Sequence, residues 1–342
     1  MDIFIYFVDL LSCMILQQPK DLYHIPLVGT GEKSSSLCGE VQYSYACEHE
    51  HRILVSHNCG SASCPVCYHH WVNKTTKRIV PRLLALYRPF ESKQSNVSDS
   101  GFLSGKNQLL LNRMKKLSRY SYRHITISFP PGFETLDPFL EIRKRLKNLN
   151  LYGIIIYHPF RITKYGKDQI KKLRDFGGYQ GGNWEILHEA GLLNVNGIVY
   201  FSPHVHIITS GYIPVSLERD LQLDGFVLKI IRSIGSPDVS CEDSLSSVVY
   251  YLLTHCGYTG RSKAYRYLGM YGGVTLRKTE TVIEQPLECP ECGRQMYKSI
   301  IDLDGNWVTD FSMPIFITVR VIEYNISLLL RTGKRRYRKR GK

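Results

Sequence analysis

Two histidines one residue apart stand in the run Ser202-Pro203-His204-Val205-His206-Ile207-Ile208-Thr209-Ser210-Gly211. β-branched residues alternate with polar ones there, with Pro at the entrance and Gly at the exit, so the run reads as a short strand. Side chains alternate faces along a strand, which puts His204 and His206 on one side and Val205 and Ile207 on the other. Two imidazoles side by side make part of a divalent-metal site, needing a third ligand and leaving positions open for substrate. Further on, Ser247 to Tyr258 has a helical period. Leu245, Val249, Leu252 and Cys256 share one face, and Ser247, Tyr251, His255 and Tyr258 another, with Tyr250 between them. A Tyr on the polar stripe suits a phenol nucleophile working at a metal-bound phosphate: Tyr251 first, Tyr250 as the alternative. The competing explanations are half-buried strand histidines and aromatic packing, in a chain with 23 Tyr.

Cysteines carry a second chemistry. Cys59-Gly60-Ser61-Ala62-Ser63-Cys64-Pro65-Val66-Cys67 follows Cys38 and Cys47. Thiolates at Cys-x4-Cys-x2-Cys spacing converge on one tetrahedral zinc once a fourth ligand joins. Cys47 is the first candidate for that place, and Cys38, His51 and His57 compete with it. Four protein ligands leave no open position, so this zinc is expected to be structural. Cys289-Pro290-Glu291-Cys292-Gly293 is half of a zinc knuckle with no second Cys pair after it. Cys241 and Cys256 are the candidates to complete it across space. Such spacings are ligand-like and do not resemble a secreted disulfide framework, so a reducing, cytoplasmic setting is expected.

The elements that must position these groups can be read in order. Tyr122-Arg123-His124-Ile125-Thr126-Ile127-Ser128-Phe129-Pro130 alternates as a strand, with His124, Thr126 and Ser128 on one face. Asp137-Pro138 opens a helix, Asp as N-cap and Pro in the first turn, with Phe139, Ile142, Leu146 and Leu149 as its apolar stripe. Gly153 to Tyr157 reads as a buried strand closing on His158. The run Gly177-Gly178-Tyr179-Gln180-Gly181-Gly182 is a loop without the Lys-Ser/Thr ending of a phosphate-binding P-loop. Trp71 to Leu86 reads as an amphipathic helix with Lys74, Lys77, Arg78 and Arg82 on its polar face, kinked or broken at Pro81. Arg88 to Ser118 is polar and Ser/Asn/Gly-rich, a linker.

At 342 residues and 43% hydrophobic, the chain can bury a core and form more than one domain. Its 44 Lys and Arg against 30 Asp and Glu give a net charge of +14, which points to an acidic partner, most simply nucleic acid. The apolar run Ile3 to Leu16 is shorter than the ~20 residues of a membrane span and is interrupted by Asp9, so no membrane partner is expected. It lacks the basic n-region and cleavage site of a signal peptide. The expected division is 1–37, an N-terminal segment; 38–87, a zinc module with the basic helix; 88–118, a linker; 119–275, the catalytic part; 276–330, a region with the second knuckle; and 331–342, a basic tail. Lys74 and Arg78 on the helix, and Arg335 and Arg336 in the tail, are the candidate phosphate contacts.

In their order these motifs resemble the HUH endonuclease superfamily, in particular the rolling-circle replication initiators of plasmids and viruses. The first motif of the family looks like His124-Ile125-Thr126-Ile127-Ser128-Phe129-Pro130, the second like His204-Val205-His206. The third picks Val248, Tyr251 and Leu252, although the usual Lys after the Tyr is Thr254 here. The Cys cluster, His158-Pro159-Phe160-Arg161 and Ser202-Pro203-His204 resemble archaeal initiators of this kind and a branch of rolling-circle transposases. The resemblance covers roughly Cys38 to Gly273. It implies an α+β fold with a ferredoxin-like antiparallel sheet, an N-terminal zinc module, and a Mg²⁺ or Mn²⁺ ion on His204 and His206 completed by His158. It further implies DNA contacts at Thr126 and Ser128 and a single Tyr nucleophile. The reaction would nick single-stranded origin DNA, leaving a 5′-phosphotyrosyl link and a 3′-OH that primes the host replication machinery. A transposase of the same chemistry, or a zinc-containing DNA-binding protein without catalysis, are the alternatives.

Overall fold

The computed structural model describes residues 27–84, 122–133, 137–146, 149, 151–193, 195–234, 241–257, 264–268, 274–302 and 304–328. In chain order the elements are β1 (Val41–Ala46), β2 (Arg52–Ser56), α1 (Tyr68–Leu84), β3 (Tyr122–Ser128), α2 (Pro138–Arg145), β4 (Tyr152–Ile162), α3 (Lys164–Gly177) and α4 (Asn183–Glu189). Then come β5 (Val199–Ser210), α5 (Val215–Leu223), β6 (Val227–Ile234), α6 (Cys241–Leu253), β7 (Tyr265–Leu268), β8 (Val274–Pro286), β9 (Tyr297–Ile301), β10 (Trp307–Pro314) and β11 (Phe316–Leu328). The architecture is α+β with antiparallel sheets. Five strands in the order β6-β3-β5-β4-β7 form the central sheet, and every neighbouring pair in it is antiparallel.

Strand alternation divides the core between the two faces of this sheet. Ile125, Ile127, Ile155, Val205 and Ile207 point to one face and pack with Phe139 and Ile142 of α2 and Leu217 and Leu221 of α5. Tyr122, Ile154, Ile156 and Ile208 point to the other, under α1 and α6. The two His of β5 share this second face. Asp137 caps α2 as its sequence requires, accepting the Leu140 N–H at 2.9 Å.

Several expectations need correcting. Helix α1 starts at Tyr68 and continues through Pro81 to Leu84, because Ile79, Val80 and Leu83 are fully buried on both sides of the proline and hold the last turn down. It does not stay with the Cys module: its apolar stripe packs on α6, in the same core as the central sheet. The C-terminal region is not separate either. Strands β9 and β10 join β1 and β2 in one four-stranded sheet, order β10-β9-β1-β2. Helix α6 ends at Leu253, earlier than the periodicity suggests, and the Thr254 hydroxyl donates back to the Tyr251 carbonyl at 2.8 Å. The linker at 88–118 and the tail residues Arg335 and Arg336 lie outside the described residues. Among the described residues, no helix is long and apolar enough to cross a membrane.

Candidate metal centres and the adjacent tyrosine

Register alone brings the first cluster together. On β5, His204 lies opposite His158 of β4 and Ser128 of β3, while His206 lies opposite Ile156 and Thr126. His158, His204 and His206 each offer one ring nitrogen, and these atoms lie within 4.8 Å of one another. The third His, taken from the end of a neighbouring strand in the sequence, is therefore placed with the pair.

Each imidazole has its other nitrogen engaged. His158 Nε2 donates to the Leu252 carbonyl at 2.9 Å, and His204 Nδ1 donates to the Ser202 carbonyl at 2.8 Å. His206 Nδ1 is 2.7 Å from His124 Nε2 and 3.2 Å from Thr126 Oγ1. Such outer contacts fix the tautomer and aim the remaining lone pair, as in protein metal sites. Burial holds His158 and His206 well below the ordinary histidine range, with neighbouring imidazoles adding to the shift, and brings His204 down to about 4. Three neutral imidazoles at neutral pH are three available ligands, and the set fits a divalent ion.

Thr126 does not stand on an accessible surface as a DNA contact would. It is 6% exposed and turned to His206, because alternation aims it at the same face as the His. Ser128 accepts from Arg161 Nη2 at 2.7 Å. That guanidinium adjoins the cluster, and its Nε is buried without a protein partner. The sequence reading gave no role to Arg161 or to His124.

Helix α6 brings the tyrosine. Leu245, Val249, Leu252 and Cys256 are fully buried, so Tyr251 is turned away from the core and keeps 40% of its surface exposed. Its ring centroid is 4.8 Å from that of His255, and His255 is 4.3 Å from His158. Trp184 stacks on His255 at 4.9 Å and 7°. A chain of ring contacts thus runs from Tyr251 to the three-His cluster. Tyr250 is directed elsewhere, its hydroxyl 3.0 Å from His69 Nδ1 of α1. Burial and then the Glu185 carboxylate push the Tyr251 phenol above its ordinary value. The glycine-rich loop gains a purpose here. A Cβ on Gly182 would come within 3.3 Å of the Tyr251 ring, so the loop closes on the tyrosine because that position has no side chain.

The second cluster is Cys38, Cys59, Cys64 and Cys67, again with ligand atoms within 4.8 Å of one another. It could hold a metal such as zinc, and its four thiols match a closed tetrahedral site. Cys64 and Cys67 meet at the start of α1, and the Cys59 N–H donates to Cys67 Sγ at 3.4 Å. Hydrogen bonding, led by the Ser61 backbone, lowers the Cys59 thiol to about 6, whereas burial pushes the Cys38 and Cys67 thiols up, so a bound metal would displace their protons. The fourth member is Cys38, not Cys47. Strand β1 carries the chain away between them, so that Cys47 lies at the far end of the hairpin with His51, Cys289 and Cys292. His57 is in neither group. Cys256 is buried in the main core, its Sγ 3.3 Å from the Leu253 carbonyl, and does not complete the Cys289–Cys292 knuckle. Lys74, Lys77 and Arg78 are exposed along α1, whereas Arg82 lies over the Tyr267 ring at 3.8 Å. Comparison with protein families, with characterised proteins and with solved structures finds no match.

Proposed function

We propose that the chain is an HUH-type endonuclease, a rolling-circle replication initiator that nicks single-stranded origin DNA with Tyr251 as nucleophile. The observation that carries this is the approach of Tyr251, through His255, to three neutral histidines on one sheet face. The fold agrees with it. Taken by themselves, β3, β4, β5 and β6 have the strand order of a ferredoxin-like unit, β6-β3-β5-β4, and its two crossover helices α2 and α5 share one face. The histidines occupy the other face, on the central strands.

His158, His204 and His206 would hold a divalent ion, which would neutralise charge on the scissile phosphate. Mg²⁺ dehydrates reluctantly and keeps oxygen ligands, so of the two ions Mn²⁺ is the one expected on three imidazoles. Arg161 offers a fixed positive charge beside the same phosphate. The Tyr251 oxygen attacks phosphorus as the phenol loses its proton, the P–O3′ bond breaks, and the 3′ oxygen leaves as a 3′-OH. The new phosphotyrosyl bond conserves the phosphodiester energy, so a later 3′-OH can reseal the strand without ATP. The free 3′-OH is the primer that host replication proteins would extend. Exposed Lys74, Lys77 and Arg78 on α1 fit the DNA backbone.

The test is nicking of single-stranded DNA from the region flanking the gene, with Mn²⁺, Mg²⁺ or chelator. Cleavage at one position in Mn²⁺, weaker in Mg²⁺ and absent with chelator, is expected. Metal-dependent DNA binding without any cleavage would overturn the proposal in favour of a non-catalytic DNA-binding protein.

A further inference from the structure

The first hairpin and a turn shortly before β9 meet at the third cluster. Cys47 and His51 flank the β1–β2 turn, and Cys289 and Cys292 belong to the turn that precedes β9, 245 residues beyond Cys47 in the case of Cys292. The four ligand atoms lie within 4.8 Å of one another. We infer that Cys47, His51, Cys289 and Cys292 form a second structural zinc site, which ties the N-terminal hairpin to the C-terminal strands. This inference does not depend on the proposed nuclease.

The distances are those a tetrahedral ion sets. With Zn–S near 2.3 Å and Zn–N near 2.0 Å, tetrahedral geometry separates two sulfurs by about 3.8 Å and a sulfur and a nitrogen by about 3.5 Å. Cys47 Sγ and Cys292 Sγ are 3.7 Å apart, and Cys289 Sγ and His51 Nδ1 are 3.5 Å apart. A disulfide needs sulfurs at about 2.05 Å, so the first pair is not one. The other nitrogen of His51 is also accounted for. His51 Nε2 faces Glu291 Oε2 at 3.5 Å, the carboxylate partner that commonly orients a metal-bound imidazole through its far N–H.

Both turns are shaped for the purpose. The Cys289 carbonyl accepts from Gly293 N–H at 2.8 Å, and Gly293 takes φ +69°, a conformation that favours glycine. Opposite it, the Cys47 carbonyl accepts from Glu50 N–H at 2.9 Å, and Cys47 N–H donates to the His51 carbonyl at 3.1 Å. Glu50 is the one non-glycine residue with positive φ among the described residues, at +63°. This left-handed residue reverses the chain and brings His51 back toward Cys47.

The sheet these turns belong to needs such a staple. The apolar cluster beneath it has three buried members, Cys47, Cys289 and Met296, and two of these are ligands. Leu54, Ile300 and Val308 are half or more exposed. Four strands with so little buried apolar surface do not hold by packing, and a metal supplies what the core lacks.

Zinc content of the purified full chain and its Ser variants tests the pairing of ligands. Cys47→Ser and Cys289→Ser are each expected to lose one zinc per chain, and the double variant still only one. Cys47→Ser combined with Cys64→Ser should lose two. Loss of two from the Cys47/Cys289 double variant, or of none from either single variant, would overturn the assignment. Should those variants fail to fold, zinc X-ray absorption on the full chain carrying only His204→Ala reads the same sites. Seven sulfurs to one nitrogen, averaged over two ions, is the expected shell from the two groups. Zinc ringed by sulfur alone would overturn the second site.

Discussion

The two tyrosines of α6 differ in the ring each one meets. Tyr250 is tied to His69, and Tyr251 lies between Gly182 and His255 and stays partly exposed. The helical period assigned these directions, because Leu245, Val249 and Leu252 had to be buried and Tyr251 lies a third of a turn from Leu252. What the period could not show was the partner of each ring. Tyr250→Phe should therefore retain nicking and lose the stability of one hydrogen bond, about 0.5–1.5 kcal/mol by denaturant titration. The raised phenol at Tyr251 gives a pH dependence with a definite sign. A higher pKa means less phenolate at any given pH, so the single-turnover nicking rate should climb through neutral pH with no plateau below the ordinary phenol value. Glu185→Gln removes the carboxylate that opposes ionisation, while its amide oxygen can still accept the Gly182 N–H. Its rate profile should move to lower pH, and an unmoved or opposite shift would separate Glu185 from the phenol. His204→Ala should abolish metal-dependent nicking and also lower the unfolding midpoint modestly, since the ring is buried, packs on His158 and His206, and bonds the Ser202 carbonyl.

Between elements, the legible part was what alternation and period dictate. The His124–Ser128 run, the Asp137-Pro138 cap and the buried face of α6 appear as read, whereas the strand expected to close on His158 runs on through an irregularity after His158 to Ile162. What the sequence hid was cross-strand register. His158 meets His204, and His124 meets His206, only because β4 and β3 flank β5 with those residues opposite or diagonal to one another. The same is true of Trp184, which reaches His255 from a short helix that carried no motif. Leu252 links these scales. Its side chain is fully buried between α6 and the sheet, and its carbonyl accepts from His158 Nε2. Leu252→Ala should cost about 2–5 kcal/mol, measured by chemical unfolding. It should lower metal affinity as well, because α6 carries the acceptor that aims His158. Loss of stability with wild-type Mn²⁺ affinity would mean that the helix does not position that ligand.

Across the whole molecule, the boundaries expected from composition failed where the chain folds back on itself. Residues 38–56 and 297–314 read as parts of separate units, yet they form one sheet, and α1 leaves the cysteine module to cover the histidine face. Local composition carries no information on pairing between strands more than two hundred residues apart. The Cys38–Cys59–Cys64–Cys67 cluster lies at the foot of α1, so a metal held there would bear on the central sheet at a distance. Cys64→Ser should lose zinc and loosen α1, seen as faster amide exchange at Val72 and Ile79; unchanged exchange would show the cluster to be dispensable for that packing. If the proposed function holds, the net charge of +14 would supply long-range attraction for DNA, and affinity should fall steeply with salt.

The central claim, that Tyr251 is the nucleophile, has a direct test. Wild-type protein is trapped on single-stranded origin DNA with Mn²⁺, digested, and its peptides are analysed by mass spectrometry. A nucleotide on Tyr251, absent from Tyr251→Phe although that variant binds DNA with the same salt dependence, is the predicted result. A nucleotide on Tyr250 would contradict the geometry of α6, and DNA cleavage without an adduct on any tyrosine would contradict the mechanism itself.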